Sequence, residues 1–126
     1  MKEITVLKVA PMCCPEVVTL KNDLRSLQEA VSIGADYTGL IEIVELDART
    51  CIVCNEEGKL IGLAPNRRLG RDVLCGVFYV TGQDSHGNLA SLSSAAIKKY
   101  KRVFAQPEII SAEEVEATLA AIFYAM

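Results

Sequence analysis

Asn66, Arg67 and Arg68 stand together directly after Pro65, and Arg71 follows close behind. Three strong hydrogen-bond formers at one place are more than a chain connection requires. A guanidinium is a planar fork of donors that matches phosphate or carboxylate oxygens, and an adjacent asparagine amide can read a base or ribose edge. The grouping points to a loop that holds a small anionic or nucleotide-like ligand. Its ligand-binding residues would be Asn66, Arg67, Arg68 and Arg71.

Other reactive groups give less. Cys51-Ile52-Val53-Cys54 has zinc-knuckle spacing, but Ile and Val between the thiols read as strand. In a strand, residues three apart point to opposite faces, which is poor geometry for sharing one metal. No second Cys-x-x-Cys or Cys/His pair completes four ligands, so no metal site is assigned. Cys13-Cys14, between Pro11 and Pro15, reads as an exposed loop, and the five cysteines are expected to be reduced. His86 is the single histidine and lies in a turn beside Asp84. General acid–base work needs a buried or charge-tuned group, which a hairpin tip rarely supplies. No triad motif surrounds a serine or cysteine, and both the phosphate-loop and dinucleotide fingerprints are missing. Glu56-Glu57 belongs to a turn and Glu113-Glu114 to a helix start. Catalysis and cofactors are therefore not expected.

The elements that must position these residues follow from periodicity. Ile4–Val9 and Val17–Leu20 are short β-rich runs joined through Pro11 and Pro15, a hairpin pattern. Asn22 or Asp23 caps a helix with Leu24, Leu27 and Val31 on its apolar side, and Gly34 ends it. Tyr37–Leu46, Cys51–Cys54 and Lys59–Leu63 read as three strands of an antiparallel meander, the last two joined by the tight turn Asn55-Glu56-Glu57-Gly58. Val73–Gly82 is the most strongly β segment, with Gly76 marking a bulge or close backbone approach. Leu89–Leu92 returns as a short strand. Ser93 or Ser94 then caps a helix through Phe104, closed by Lys98, Lys99, Lys101 and Arg102, cations that suit the negative end of the helix dipole. After Pro107, Ser111 and Glu114 form a capping box, and Val115, Leu119, Ile122, Phe123 and Met126 share one face of a final helix. Packing onto the sheet is the default use of that face; a swapped helix that builds a homo-oligomer is its rival.

This order predicts an α+β fold: a single domain over 1–126, mainly an antiparallel sheet with helices packed on one face and a C-terminal amphipathic helix. The 126 residues favour one core. With no tryptophan and only 6% aromatic residues, Ile, Val, Leu and Ala must fill it. A net charge of −3 argues against a general nucleic-acid binder, and stacking aromatics and a helix-turn-helix pattern are lacking. No apolar run reaches the roughly 20 residues of a membrane span, and the first residues lack a signal-peptide core, so a cytoplasmic protein is expected.

The stretch Cys54-Asn55-Glu56-Glu57-Gly58-Lys59-Leu60, with Gly62-Leu63, Pro65-Asn66-Arg67 and Leu69, resembles the family known as domain of unknown function 3846. Gly76-Val77-Phe78-Tyr79-Val80, Gly82, Asp84, Gly87 and Ser91-Leu92-Ser93 follow in that family's order. Asp23–Val31 and Leu40–Leu46 are similar as well. The resemblance covers about residues 4–104 and leaves the helix at 111–126 appended. It implies a small protein encoded by bacteria, plasmids or phages, and it assigns no catalytic residue. The chain departs from the pattern in its short loop Gly70-Arg71-Asp72 and in the pair Cys13-Cys14.

Two functions are consistent with these features. One is a non-enzymatic binding protein that recognises a small anion or nucleotide through the Asn66–Arg68 loop. The alternative is a protein-interaction module, an inhibitor or adaptor acting on a host protein through the C-terminal helix or a sheet edge.

Overall fold

The computed structural model describes the backbone of residues 2–125 and the side chains of residues 2–119. Eight strands and three helices follow one another as β1 (Glu3–Val9), β2 (Glu16–Lys21), α1 (Leu24–Ala30), β3 (Ile41–Asp47), β4 (Thr50–Asn55), β5 (Pro65–Leu69), β6 (Asp72–Cys75), β7 (Phe78–Gln83), β8 (Leu89–Ala90), α2 (Ser94–Val103) and α3 (Ala112–Ala125). The main sheet runs β2-β1-β7-β4-β3, with β8 added to the end of β7, and β5-β6 form a separate two-stranded sheet. Every pairing is antiparallel. The α+β class and the antiparallel sheet agree with the sequence.

Burial explains the strand sequences. β4 and β7 lie inside the sheet with both faces covered, so their centres, Cys51–Cys54 and Phe78–Val80, carry no polar alternation. β1 alternates its two apolar sets between the faces. Leu7 and Val9 join Ile52, Phe78 and Val80 under α2, where Tyr100 and Phe104 close the core. Ile4 and Val6 join Val53 and Tyr79 on the other face, beneath Val31 and the end of α1. The helices are thus divided between the two faces, where periodicity alone suggests one. Each fully buried side chain of this kind contributes roughly 1.5–3 kcal/mol of transfer free energy.

Caps fix the helices. Asp23 Oδ1 accepts from the Ser26 amide at 2.9 Å, and Ser93 Oγ from the Ala96 amide at 3.1 Å. Ser111 Oγ accepts from the Glu114 amide at 3.2 Å, but the Glu114 carboxylate turns to Arg68 and not back toward Ser111. Of the apolar face expected on α3, Val115 packs with Leu63, Val73 and Cys75. The side chains of Ile122, Phe123 and Met126 lie outside the described residues. Among the described residues no helix is long and apolar enough to cross a membrane.

Two expectations about the middle of the chain are corrected. Lys59–Leu63 is a succession of turns, held by Ile61 N–H to the Glu57 carbonyl and Leu63 N–H to the Gly58 carbonyl, both 3.0 Å. The meander therefore stops at β4, whose second neighbour is β7. The long run Val73–Gly82 is two strands in two different sheets. Gly76, at φ 86°, supplies the left-handed residue where the chain leaves β6 for β7.

Candidate functional site

Three of the four residues singled out for anion binding, Asn66, Arg67 and Arg68, lie in strand β5, and the structure separates their roles. Asn66 and Arg67 are 0% and 1% exposed. Asn66 Nδ2 donates to the carbonyls of Val9 (2.9 Å) and Gly76 (2.8 Å), and Asn66 Oδ1 accepts from Arg67 Nη1 at 2.8 Å. Arg67 Nη2 donates to the carbonyls of Cys13 (2.6 Å) and Phe104 (3.0 Å), and Nε also reaches Phe104 at 3.3 Å. Phe104 is the C-cap of α2, so the guanidinium sits where a cation meets the negative helix end. Burial pulls this guanidinium below its ordinary pKa, with Glu108 opposing the shift.

Arg68 points to the other side of β5. Its Nε and Nη2 hold both oxygens of Glu114 at 2.6 and 2.8 Å, and its Nη1 meets Glu108 at 3.0 Å. The Arg68 amide donates to the second Glu108 oxygen at 2.9 Å, which closes that strand edge. These bonds, Glu114 first, push the Arg68 guanidinium further up. Arg71 lies exposed in the turn between β5 and β6. The four residues do not converge on a common point. Asn66 and Arg67 are tied to backbone carbonyls because a polar side chain enclosed in the core must find partners. Arg68 fastens the C-terminal segment.

A cleft of about 270 Å³ opens between the Asn55–Leu60 segment and β6, walled by Glu42, Cys54, Lys59, Asp72, Cys75 and Leu119. The Asn55–Gly58 turn makes its floor. Asn55 Oδ1 accepts from the Glu57 amide at 2.9 Å, and its Nδ2 donates to the Val31 carbonyl at 3.3 Å. Gly58 lies so near β6 that a Cβ would stand 2.6 Å from the Cys75 carbonyl oxygen. Lys59 Nζ is paired with Asp72 and lies 3.3 Å from Thr118 Oγ1, which ties the turn to β6 and α3. Burial first, then Glu42, pushes the Cys54 thiol up to about 12, and burial raises Cys75 too. Neither thiol is primed as a nucleophile. Cys51 points to the other face of β4, where its sulfur meets Thr81 Oγ1 at 3.1 Å, so the Cys-x-x-Cys pair is split across the strand.

Glu42 belongs also to β3, which ends the sheet. Its inner side pairs with β4 from Ile41↔Asn55 to Asp47↔Thr50, and among the described residues no strand lies beyond it. Ile43 is 46% exposed, and Leu40 just before β3 and Leu60 on the cleft wall are exposed as well. Leu40 and the cleft turn are adjoining, since the Glu56 amide donates to the Leu40 carbonyl at 3.0 Å. At the far end of β3, Asp47 is held by the Tyr100 hydroxyl at 2.7 Å and Lys99 at 4.0 Å. That hydroxyl bond is the main reason the Asp47 carboxyl sits below its usual range.

Residues 2–105 match the family model described as domain of unknown function (DUF3846). The chain belongs to this family. No curated protein and no solved structure gives a significant match. The DUF3846 match ends just past α2. Both carboxylates that hold Arg68, and the Leu119 wall of the cleft, therefore come from beyond the matched residues, whereas β3 and the Asn55–Gly58 turn lie within them. The sequence of this DUF3846 chain points to a sheet edge as a candidate surface but not to β3 as the strand that forms it. Glu42 and Glu45 interrupt the apolar run of Leu40–Leu46, but which strand ends the sheet depends on long-range pairing.

Proposed function

We propose that this DUF3846 protein is a non-enzymatic binding protein that works as a protein-interaction module through the β3 edge and the adjoining cleft. The observation that carries this reading is the state of β3 itself. Among the described residues it is a seven-residue edge strand with no strand on its outer side; it contains neither lysine nor proline, and its guards are the carboxylates Glu42, Glu45 and Asp47 and a register shift after Glu45, which leave Ile41–Glu45 regular. Natural proteins blunt such edges because they template pairing with another chain. The opposite edge, β2, ends in Lys21, follows Pro15 and adjoins α1. Leu60 is exposed on the cleft wall that Glu42 shares, and Ile43 is exposed on the opposite face of β3, so apolar side chains flank the edge on both faces and a cavity adjoins one of them.

The small-anion reading loses Asn66 and Arg67 to the interior, which leaves Arg71 and the exposed part of Arg68 to carry it. Within the favoured reading the partner is a host protein met in the cytoplasm, and the protein acts on it as an inhibitor or adaptor, a role that would suit a phage- or plasmid-encoded member. A photo-crosslinking residue placed at position 43, compared with one at position 17 on β2, tests this in host cells. Adducts from 43 alone are expected. Adducts from 17 only, or from neither position, would overturn the reading.

A further inference from the structure

We propose that the β3 edge selects an extended segment whose four central residues run basic, apolar, apolar, basic. The inference rests on the interaction reading above and names the partner's chemistry. The recognition stretch is Glu42-Ile43-Val44-Glu45. Pairing with β4 fixes its faces: Glu42 and Val44 stand with Cys54 and Ile52 on the cleft side, and Ile43 and Glu45 with Val53 and Cys51 on the other. An added strand brings one residue directly beside each of these, with Cβ atoms about 4.5–5.5 Å apart. Opposite charges and apolar pairs at that distance stabilise, and like charges destabilise. Beside Ile43 and Val44 the fitting residues are β-branched or other apolar side chains. Beside Glu42 and Glu45 they are lysine or arginine. The pattern reads the same in both directions, so parallel and antiparallel docking ask for the same composition.

Charge favours this occupant over a second copy of the chain. Among the described residues neither Glu42 nor Glu45 has a cation within ion-pair distance, whereas Asp47 is already held by Tyr100 and Lys99. Glu56 and Glu57 line the same cleft as Glu42, and its one cation, Lys59, is engaged by Asp72. The position beside Glu42 therefore faces several carboxylates at once, which favours a basic residue there. A second β3 would bring three more carboxylates to this edge.

The test uses the full chain and fluorescent peptides of one length with the core Lys-Val-Ile-Lys or Glu-Val-Ile-Glu, titrated by anisotropy at low and high salt. The basic peptide is expected to bind at least about tenfold more tightly at low salt, with the gap narrowing at high salt. Methylation of alternate backbone nitrogens in that peptide should abolish binding, because pairing needs those donors. E42K/E45K should invert the preference, and E42Q/E45Q, with the circular dichroism of the parent, should level it. Equal binding of both peptides, a preference that the substitutions leave unchanged, or no binding by either peptide would overturn the proposal. Crosslinking at position 43 decides separately whether the edge binds protein at all, so a failed pattern and a failed edge are distinguishable.

Discussion

Arg67 Nη1 lies 2.8 Å from Asn66 Oδ1, and both side chains are enclosed. Neighbours in sequence usually point to opposite sides of a strand, but the register between β5 and β6 shifts between Pro65 and Arg67, which lets these two meet. The pair gathers the carbonyls of Val9, Cys13, Gly76 and Phe104, and so joins β1, its following loop, the β6–β7 link and the end of α2.

Removing this knot should therefore be a stability event. Arg67→Met strands the Phe104 carbonyl and Asn66 Oδ1 inside the protein, at about 1–3 kcal/mol for each lost buried partner. Urea titration should show a loss on the order of 3–5 kcal/mol, which is exceptional for one substitution. Arg67→Lys should recover only part of it, since an ammonium lacks the planar fork. A shift within the few tenths typical of surface changes would contradict the structural role.

Docking of α3 should depend on acid and salt. Arg68 holds the Glu114 carboxyl below its ordinary value, so the folded state binds fewer protons there than the unfolded one. This contribution is complete above the usual glutamate range and disappears as pH falls through the lowered value, while Arg68 stays charged throughout. Limited proteolysis should cut the 106–118 segment faster below about pH 4 and in high salt. The Arg68→Gln variant should be cut quickly at every pH.

Gly58→Ala should damage the cleft more than its size suggests. The new methyl would meet the Cys75 backbone oxygen, which cannot move as a flexible side chain would. A loss of about 1–3 kcal/mol in thermal or urea unfolding is expected, the range seen for overpacked sites. A neutral result would mean that the turn and β6 are not in contact.

Thiol chemistry separates two groups of cysteines. Cys13 and Cys14 are exposed, whereas Cys51, Cys54 and Cys75 are buried, with pKa values raised chiefly by burial. Iodoacetamide at pH 8 should add two labels quickly and the remaining three only with denaturant, as read by intact-protein mass. Fast labelling of Cys54 or Cys75 would show that the cleft wall is open to solvent.

Local rules were legible in the chain and long-range ones were not. Asp23, Ser93 and Ser111 announced their helices because capping is settled within three residues. Asn66 and Arg67 looked like a ligand loop because charge and amide groups default to the surface, and only the carbonyls of distant elements give them an inside use. Gly76 signalled an interruption, yet nothing nearby showed that the strands on either side join different sheets. Glu42 and Glu45 gave the clearest unused hint. Two acids spaced around Ile43-Val44 mark an exposed strand, but its place at the sheet end follows from β4 pairing with β7.

The most direct test of the β3 edge is residue-resolved amide hydrogen exchange of the full chain, alone and saturated with a crosslink-identified partner or the basic peptide. Binding at this edge predicts that alternate amides from Ile41 to Leu46 become protected while those of β2 do not change. Exchange in β3 that stays the same in a saturated complex would place the interface elsewhere and contradict it.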